Sequence, residues 1–314
     1  MPVYNAMPYL QEAVTAVLGQ SFRDFQLLAV DDGSTDASLK YLLSIKDPRL
    51  NVLQMEGRQG QGAARNRVIE ACDTEYLAFV DADDVPLPHR FERQIAYMDR
   101  HPAVGMLGTR FAYIGEAGRP GPTPPLALDH DQIRRDLLLG RHAVANSTLM
   151  FRTSVFEGTG AFRINGAGED LDLFLRMTEQ TRVANLDDVL SHYRLHSTST
   201  NAQQAQTLLH RYSHAIECAH LREQARPESS FEDFRARQAR RPFWVRSLER
   251  LDLLSGMQYR KAVVQLLSGS RIKGTIRLAF AALLSPKRLA QRVHRAIRER
   301  TKLQKVENLA GKSV

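Results

Sequence analysis

Cysteine and tryptophan are nearly absent from this chain: 314 residues carry two of the first and one of the second. Cys72 and Cys218 stand far apart with no metal-ligand spacing, and Cys72 falls inside an expected helix, so both read as buried thiols. Nothing in them suggests an oxidising compartment. Missing too is any uninterrupted apolar stretch near the ~18 residues of a membrane-crossing helix, and any cationic start followed by an apolar signal core. The expected location is therefore the cytoplasm. Neither the Rossmann nor the Walker A glycine fingerprint occurs, which counts against an NAD enzyme or a P-loop ATPase.

What is present is globular. Hydrophobic residues make up 43%, enough at this length to bury the core of one large domain or of a domain with an appendage. The formal charge of +8 hides an asymmetry. From Arg235 to Val314 there are 20 Lys and Arg against four Asp and Glu, while residues 1 to 234 carry 23 against 31. A basic end on a mildly acidic body points to an attachment surface joined to a working domain.

Along the first half, apolar runs alternate with helical patterns. Strands are expected at Phe25 to Val30, Leu50 to Gln54, Tyr76 to Val80 and Val104 to Ile114, with helices near Tyr9 to Leu18, Asp36 to Ser44, Gly62 to Cys72 and Pro88 to Arg100. That alternation predicts an α/β fold with a doubly wound, mainly parallel sheet. Ser34-Thr35-Asp36 supplies capping chemistry for the second helix. Residues 1 to 115 form one half; Gly115 to Pro125 is a Gly- and Pro-rich loop, and 126 to 200 form a second half. There a helix is expected near Asp129 to Leu139, a strand at Ser147 to Phe151, a helix from Asp170 to Gln180, and short strands at Val183 to Leu186 and Val189 to Arg194. From Ala202 the pattern is helical, broken at Arg226 to Ser230, giving a helical basic region over 201 to 314. The chain opens on Pro2-Val3-Tyr4-Asn5 and runs straight into a helix, so the first strand of the sheet reads as truncated, as if the true start lay upstream.

Several segments carry chemistry. Asp81-Ala82-Asp83-Asp84 follows the buried strand Tyr76 to Val80, at the strand end where open α/β sheets place ligands. Crowded carboxylates there suit Mg2+ or Mn2+ beside a phosphate-bearing substrate; alone, the same residues fit a solvated acidic turn. Asp31-Asp32-Gly33-Ser34-Thr35-Asp36 gives a second carboxylate cluster at a second strand end, where an Asp could accept from a nucleobase or ribose; an Asx-capped turn is the plainer reading. Gly60-Gln61-Gly62-Ala63-Ala64-Arg65-Asn66 sets small residues before a helix with one Arg in its early turns. Glu169-Asp170 opens another helix, where two acids also fit the macrodipole. Asp172 and Arg176 are four apart on that helix and read as an ion pair.

Taken in order, Pro2 to Asn5, Val30 to Asp36, Gly60 to Asn66, Asp81 to Asp84 and Gly168-Glu169-Asp170-Leu171-Asp172-Leu173 resemble the successive signatures of family 2 glycosyltransferases with a GT-A fold. The resemblance covers roughly residues 1 to 200. It implies an inverting, non-processive enzyme using a nucleotide-sugar donor, most often a UDP-sugar, with Mg2+ or Mn2+. By motif match, Pro2, Tyr4 and Asp32 line a uridine pocket with Arg65 nearby. Asp81 meets the ribose or sugar, Asp83 holds the metal, Asp170 is the base and Glu169 its neighbour, one of whose pKa values mutual repulsion raises. Asp84 is left between a supporting ligand and a helix cap. His192-Tyr193-Arg194-Leu195-His196 resembles the segment that closes the site, with His196 or Arg194 reaching the diphosphate or metal, and a structural role the alternative for His196. The Gln-x-x-Arg-Trp signature of processive synthases is absent. The expected acceptor is a saccharide or lipid-linked hydroxyl in surface polysaccharide or glycolipid synthesis.

The tail leaves two readings open. Ile272 to Leu284 gathers apolar residues beside cations and Lys287 to Arg300 adds more, which fits peripheral binding at the inner membrane face or a packed helical cap. No aromatic interleaving accompanies the charge, so nucleic acid is not an expected partner. Two rival functions follow: a catalytically silent nucleotide-sugar binding module, and a tethering protein acting through its tail.

Overall fold

The structure, a computed structural model, describes residues 1–116, 118–119, 121–163, 168–196, 205–267 and 269–286. They fall into two units, described separately. The first comprises Met1–Leu195 and Thr207–Arg235; the second includes His196 and the described residues from Ala236 onward.

In the first unit β1 (Pro2–Val3) pairs in parallel with β2 (Leu27–Asp31), and β2 with β3 (Leu50–Gln54). The short first strand is a two-residue stub, yet it is fully knitted in: Val30 and Asp32 donate their N–H groups to the Met1 and Val3 carbonyls at 2.9 and 2.8 Å. Helices α1 (Leu10–Leu18), α2 (Ser38–Ser44) and α3 (Gln61–Glu70) supply the crossovers that parallel pairing requires. Side chains of β2 alternate between two cores. Leu27 and Ala29 join a cluster with Leu10, Val14, Phe91 and Met98, while Val30 joins one with Ala64, Phe79, Phe151 and Leu173. Apolar residues at both phases of the strand are what a sheet covered on both faces demands.

The second sheet runs β4 (Tyr76–Ala78), β7 (Met150–Arg152), β6 (Val104–Ile114), β8 (Arg182–Arg194) and β5 (Val85–Pro86). Its long β6–β8 pair is parallel; β7 runs antiparallel to both β4 and β6, and β5 is an antiparallel edge beside β8. Around it lie α4 (Arg90–Arg100), α5 (His130–Leu138), α6 (Val155–Thr159) and α7 (Glu169–Gln180). Helix α8 (Ala205–Glu223) belongs to this unit from Thr207 onward.

Three local expectations are corrected. The two short strands at 183–186 and 189–194 are one strand, β8, with Leu186 opposite Thr109 and Val189 opposite Arg110. Asp187 and Asp188 are the extra residues of that irregularity, which is why the apolar pattern breaks there. Of Ser34-Thr35-Asp36, only Asp36 caps α2: its Oδ1 accepts from Ser38 N, the first N–H of the helix, at 2.9 Å, although the N-cap position is Ala37. Asn5 Oδ1 accepts from Thr35 N and Asp36 N at 2.7 and 3.2 Å, while Asp36 Oδ2 accepts from Met7 N. These polar residues stitch the loop after β1 to the end of β2. Cys72 lies beyond the end of α3 and is only half-buried; Cys218 is buried as expected.

After α9 (Phe231–Ala239), the second unit holds α10 (Phe243–Leu267) and α11 (Arg271–Leu284), which pack together through Ser255 Oγ to Ala281 O at 2.7 Å and Arg277 to Gln258 at 2.8 Å. The cationic stretch Lys287 to Arg300 lies outside the described residues. Among the described residues no helix is long and apolar enough to cross a membrane.

Candidate active site

The end of β2, the loop entering α3, the loop after β4 and the start of α7 converge. Asp32 is buried, and its two carboxylate oxygens accept from the backbone N–H groups of Gln59 (2.6 Å) and Gly60 (2.8 Å). It therefore fixes the glycine-rich loop ahead of α3. Gly33 beside it has φ +77°, and a Cβ there would lie 2.9 Å from the Gly57 carbonyl carbon, so the turn requires glycine. Pro2 is buried in β1, and the Tyr4 ring stacks under the Arg58 guanidinium at 4.1 Å.

Arg65 is the hub. It leaves the first turns of α3 nearly fully buried and donates to Asp81 Oδ1 at 2.7 Å. Its guanidinium carbon lies 5.7 Å from the ring centres of both Phe79 and Phe162. Its charge also reaches Glu169 and Asp170, opposing the burial that raises both carboxyls above their ordinary range. For Glu169 the Asp170 charge adds to burial, so the expected repulsion acts, but as the smaller cause. Glu169 lies close against α3: a Cβ added to Gly62 would stand 2.9 Å from Glu169 Oε1. Asp170 Oδ1 accepts from Leu171 N at 2.9 Å and Oδ2 from the Tyr212 hydroxyl at 3.3 Å. Asp172 and Arg176 form the expected ion pair, at 2.9 Å.

The acidic loop separates into distinct environments. Asp81 keeps a fifth of its side chain exposed beside Arg65. Asp84 is no helix cap, since α4 starts at Arg90 behind His89. It is buried, accepting from the Arg194 backbone N–H at 2.8 Å and from the Ser147 hydroxyl. Burial, reinforced by the charges of Asp83 and Asp81, pushes its carboxyl well above the usual range. An all-oxygen donor set of this kind fits a hard divalent cation. Among the described residues no three His, Cys, Asp or Glu side chains cluster to hold a metal. His196 groups with the second unit.

Of the two buried arginines behind the loop, Arg194 was expected to reach the diphosphate or metal, and Arg90 was missed. The Arg194 guanidinium is instead held by the protein itself: it donates to the Asp83 carbonyl at 2.9 Å, to Gly115 O at 3.2 Å and to Glu12 on α1 at 2.5 Å, and lies over the Tyr9 ring. Arg90 donates to the carbonyls of Phe79 and Ser147 at 2.9 and 2.6 Å. Only its position shortly after the acidic motif could have drawn attention to Arg90.

Residues 1–160 match the family model described as glycosyl transferase family 2. The chain belongs to that family. It is 29% identical over 207 residues to the O-antigen biosynthesis glycosyltransferase WbnJ of Escherichia coli, covering 64% of this chain and 80% of WbnJ. It is equally 29% identical over 195 residues to the amylovoran biosynthesis glycosyltransferase AmsE of Erwinia amylovora, covering 61% and 73%. In fold it is similar to S. aureus TarS 1–349 in complex with UDP-GlcNAc, with TM-score 0.56, 16% identity and coverage of 89% and 88%. It is similar also to the mannosyltransferase PcManGT from Pyrobaculum calidifontis in complex with GDP-Man and Mn2+, with TM-score 0.52, 15% identity and coverage of 94% and 78%. The family 2 glycosyltransferase thus has the GT-A-like fold that its motif order implied.

Proposed function

We propose that this glycosyltransferase moves one sugar from a nucleoside-diphosphate donor, most readily a UDP-sugar, to an acceptor hydroxyl in surface polysaccharide or glycolipid synthesis, with inversion at the anomeric carbon. The observation that carries this reading is Arg65, which bonds the donor-side Asp81 and places its charge beside the Glu169-Asp170 pair. Donor and base elements therefore share one centre. The names of WbnJ and AmsE support a polysaccharide acceptor, and the nucleotide sugars bound by TarS and PcManGT support the donor class.

In this reading Pro2, Tyr4 and Asp32 bind the nucleoside, and Asp81 orients the ribose or sugar. Asp83 would hold Mg2+ or Mn2+. A bound divalent ion supplies Lewis-acid stabilisation of the diphosphate charge. Asp170 takes the proton of the acceptor hydroxyl as that oxygen forms its bond to C1 and the C1–O bond to the diphosphate breaks on the opposite face. Its buried setting raises its proton affinity toward the range useful to a base. Glu169 shapes the same face.

The test is Asp170→Asn, assayed for nucleoside diphosphate release and for donor binding by calorimetry with Mn2+. Loss of turnover with binding retained is expected. Undiminished turnover would remove Asp170 as the base, and a wild type that binds donor without turnover would leave a silent binding module. Asp83→Asn is expected to abolish the Mn2+ dependence of donor binding.

The tail adds a proposed membrane role on the cytoplasmic face. Ile272, Ile276, Phe280 and Leu283, spaced to share one face of α11, are 78%, 64%, 49% and 78% exposed. Helix α11 contains no acidic residue, a composition suited to an anionic lipid surface. Full-length protein is expected to float with phosphatidylglycerol vesicles and not with neutral ones; no difference between the two would refute this attachment.

A further inference from the structure

The family match ends at residue 160, yet a later helix reaches the candidate base. Along α8, Leu208, Tyr212, Ala215 and Ala219 fall at helical spacing on one face; Leu208, Ala215 and Ala219 are buried, and Tyr212 packs against the main core. This face meets the residue that starts α7. Gly168 is the N-cap of α7 with φ +101°, and a Cβ there would lie 3.0 Å from Arg211 Cβ, 3.3 Å from the Tyr212 ring and 3.4 Å from Leu208. Backbone and helix therefore touch with no room for a side chain between them. From this seat the Tyr212 hydroxyl donates to Asp170 Oδ2 at 3.3 Å, while Leu171 N holds Oδ1. Bonds to a catalytic carboxylate are commonly long before substrate arrives and tighten in the reacting complex.

We propose that Tyr212 is a positioning residue for the transfer, its hydroxyl setting the orientation in which Asp170 receives the acceptor's proton. The proposal rests on Asp170 being the base. The other charges bearing on the pair are Arg65 from α3, Glu169 on α7 itself and, toward Glu169, Arg211 from α8. A hydroxyl donated to the ionised carboxylate lowers its proton affinity, so removing that hydroxyl raises it.

The experiment is Tyr212→Phe in the full-length chain, which keeps the ring and its packing. Nucleoside diphosphate release from UDP-, GDP- and dTDP-sugars is measured against pH, beside a carboxyl-carbon NMR titration of Asp170 in the free protein. We expect kcat to fall roughly tenfold, the loss of one bond to a charged group, with the donor KM changed less than twofold. The acid limb of kcat and the Asp170 titration should both move to higher pH. The control Glu223→Gln, which breaks the 2.7 Å Arg134–Glu223 pair at the other end of α8, should move neither. An Asp170 titration unchanged in Tyr212→Phe overturns the proposal even if no donor in the panel is consumed, and so does a fall in kcat without a shift of the acid limb. If Asp170→Asn keeps full turnover, the reading of the base itself fails; if it is inactive while Tyr212→Phe behaves as wild type, only the role of Tyr212 fails.

Discussion

Arg90→Met should destabilise the protein by about 6 kcal/mol, and the figure comes from counting stranded acceptors. Arg90 has no exposed surface. Its Nε donates to Gln94 Oε1 at 2.9 Å, Nη1 to Ser147 O at 2.6 Å, and Nη2 to Phe79 O at 2.9 Å and Leu149 O at 3.2 Å. Gln94 carries the clamp onward, donating to Leu107 O and Thr148 O at 3.0 and 2.9 Å. The pair thus ties the end of β4 to β6 and to the turn before β7. Burial lowers the guanidinium pKa to about 9, with Asp84 and Asp81 opposing the fall, so it remains charged at neutral pH. On substitution Leu149 O keeps its bond from Phe79 N at 2.8 Å. The Ser147 and Phe79 carbonyls and Gln94 Oε1 lose their guanidinium donor inside the core, each at about 1–3 kcal/mol. Methionine replaces the stem's volume, so cavity costs stay small. Three such acceptors give about 6 kcal/mol, a large part of the 5–15 kcal/mol typical of a domain.

The measurement is urea unfolding followed by circular dichroism, with Arg90→Lys alongside. Lysine keeps the charge but cannot reproduce a planar fork directed at four oxygens, so it should recover less than half of the loss. A change below 1 kcal/mol in Arg90→Met would mean that water reaches these carbonyls, and the clamp would lose its assigned role. Phe79 directly precedes the acidic loop, so turnover should fall along with stability.

Other outcomes follow from the same contacts. Asn66→Ala removes the bonds to Phe162 O and Phe162 N at 2.8 and 2.9 Å and should cost about 2–3 kcal/mol in denaturant unfolding. Gly62→Ala gains up to about 1 kcal/mol of helix propensity but sets a Cβ 2.9 Å from Glu169 Oε1; melting should change little while kcat falls. Glu228 is held down to about 2 by Arg163 and Arg222. A lowered carboxyl stabilises above its unfolded value near 4.5 and loses that contribution as pH falls toward 2, so Glu228→Gln should lower stability at pH 7 by about 1 kcal/mol, after discount for exposure, and leave it unchanged near pH 2. Because the base must be ionised and the Asp170 carboxyl is raised, turnover should fall with decreasing pH at values above the ordinary carboxylate range, as a kcat–pH profile will show.

What the sequence disclosed was whatever local periodicity encodes. Strands β3 and β6 fall on the expected residues, because continuous apolar runs flanked by polar turns have few alternatives. The break in β8 at Asp187 was misread because a strand irregularity and a strand end leave the same polar gap. Ser34 to Asp36 carried helix-cap chemistry, which Asp36 directs to the first N–H of α2, while Thr35 turns to Asn5, thirty positions away. Asp84 stayed ambiguous for a similar reason. Its burial comes from Ser147 and Arg194, and no spacing rule connects residues 63 and 110 positions apart. The five motifs were legible in order, whereas the hub role of Arg65 required knowing that α7 starts beside α3.

The acidic loop poses a physical problem that those hidden residues solve. Carboxylates crowded at a strand end repel one another, and burying them adds desolvation cost. Three buried arginines surround the loop, and two of them act mainly on its backbone. Arg90 holds the Phe79 carbonyl before it and Arg194 the Asp83 carbonyl within it, while the Arg65 guanidinium pairs with a loop carboxylate, at Asp81. Backbone capture supplies positive potential without fully neutralising the loop, so negative charge persists where a cation and diphosphate would bind. Arg194 reaches back to Glu12 on α1, 182 positions earlier, so the fold's first helix and last sheet strand close on the same loop. Removing that link by Glu12→Gln should therefore weaken Mn2+-dependent donor binding, measured by calorimetry, with little effect on the exposed surface of α1. Unchanged affinity would show that Arg194 is held by its carbonyl contacts alone.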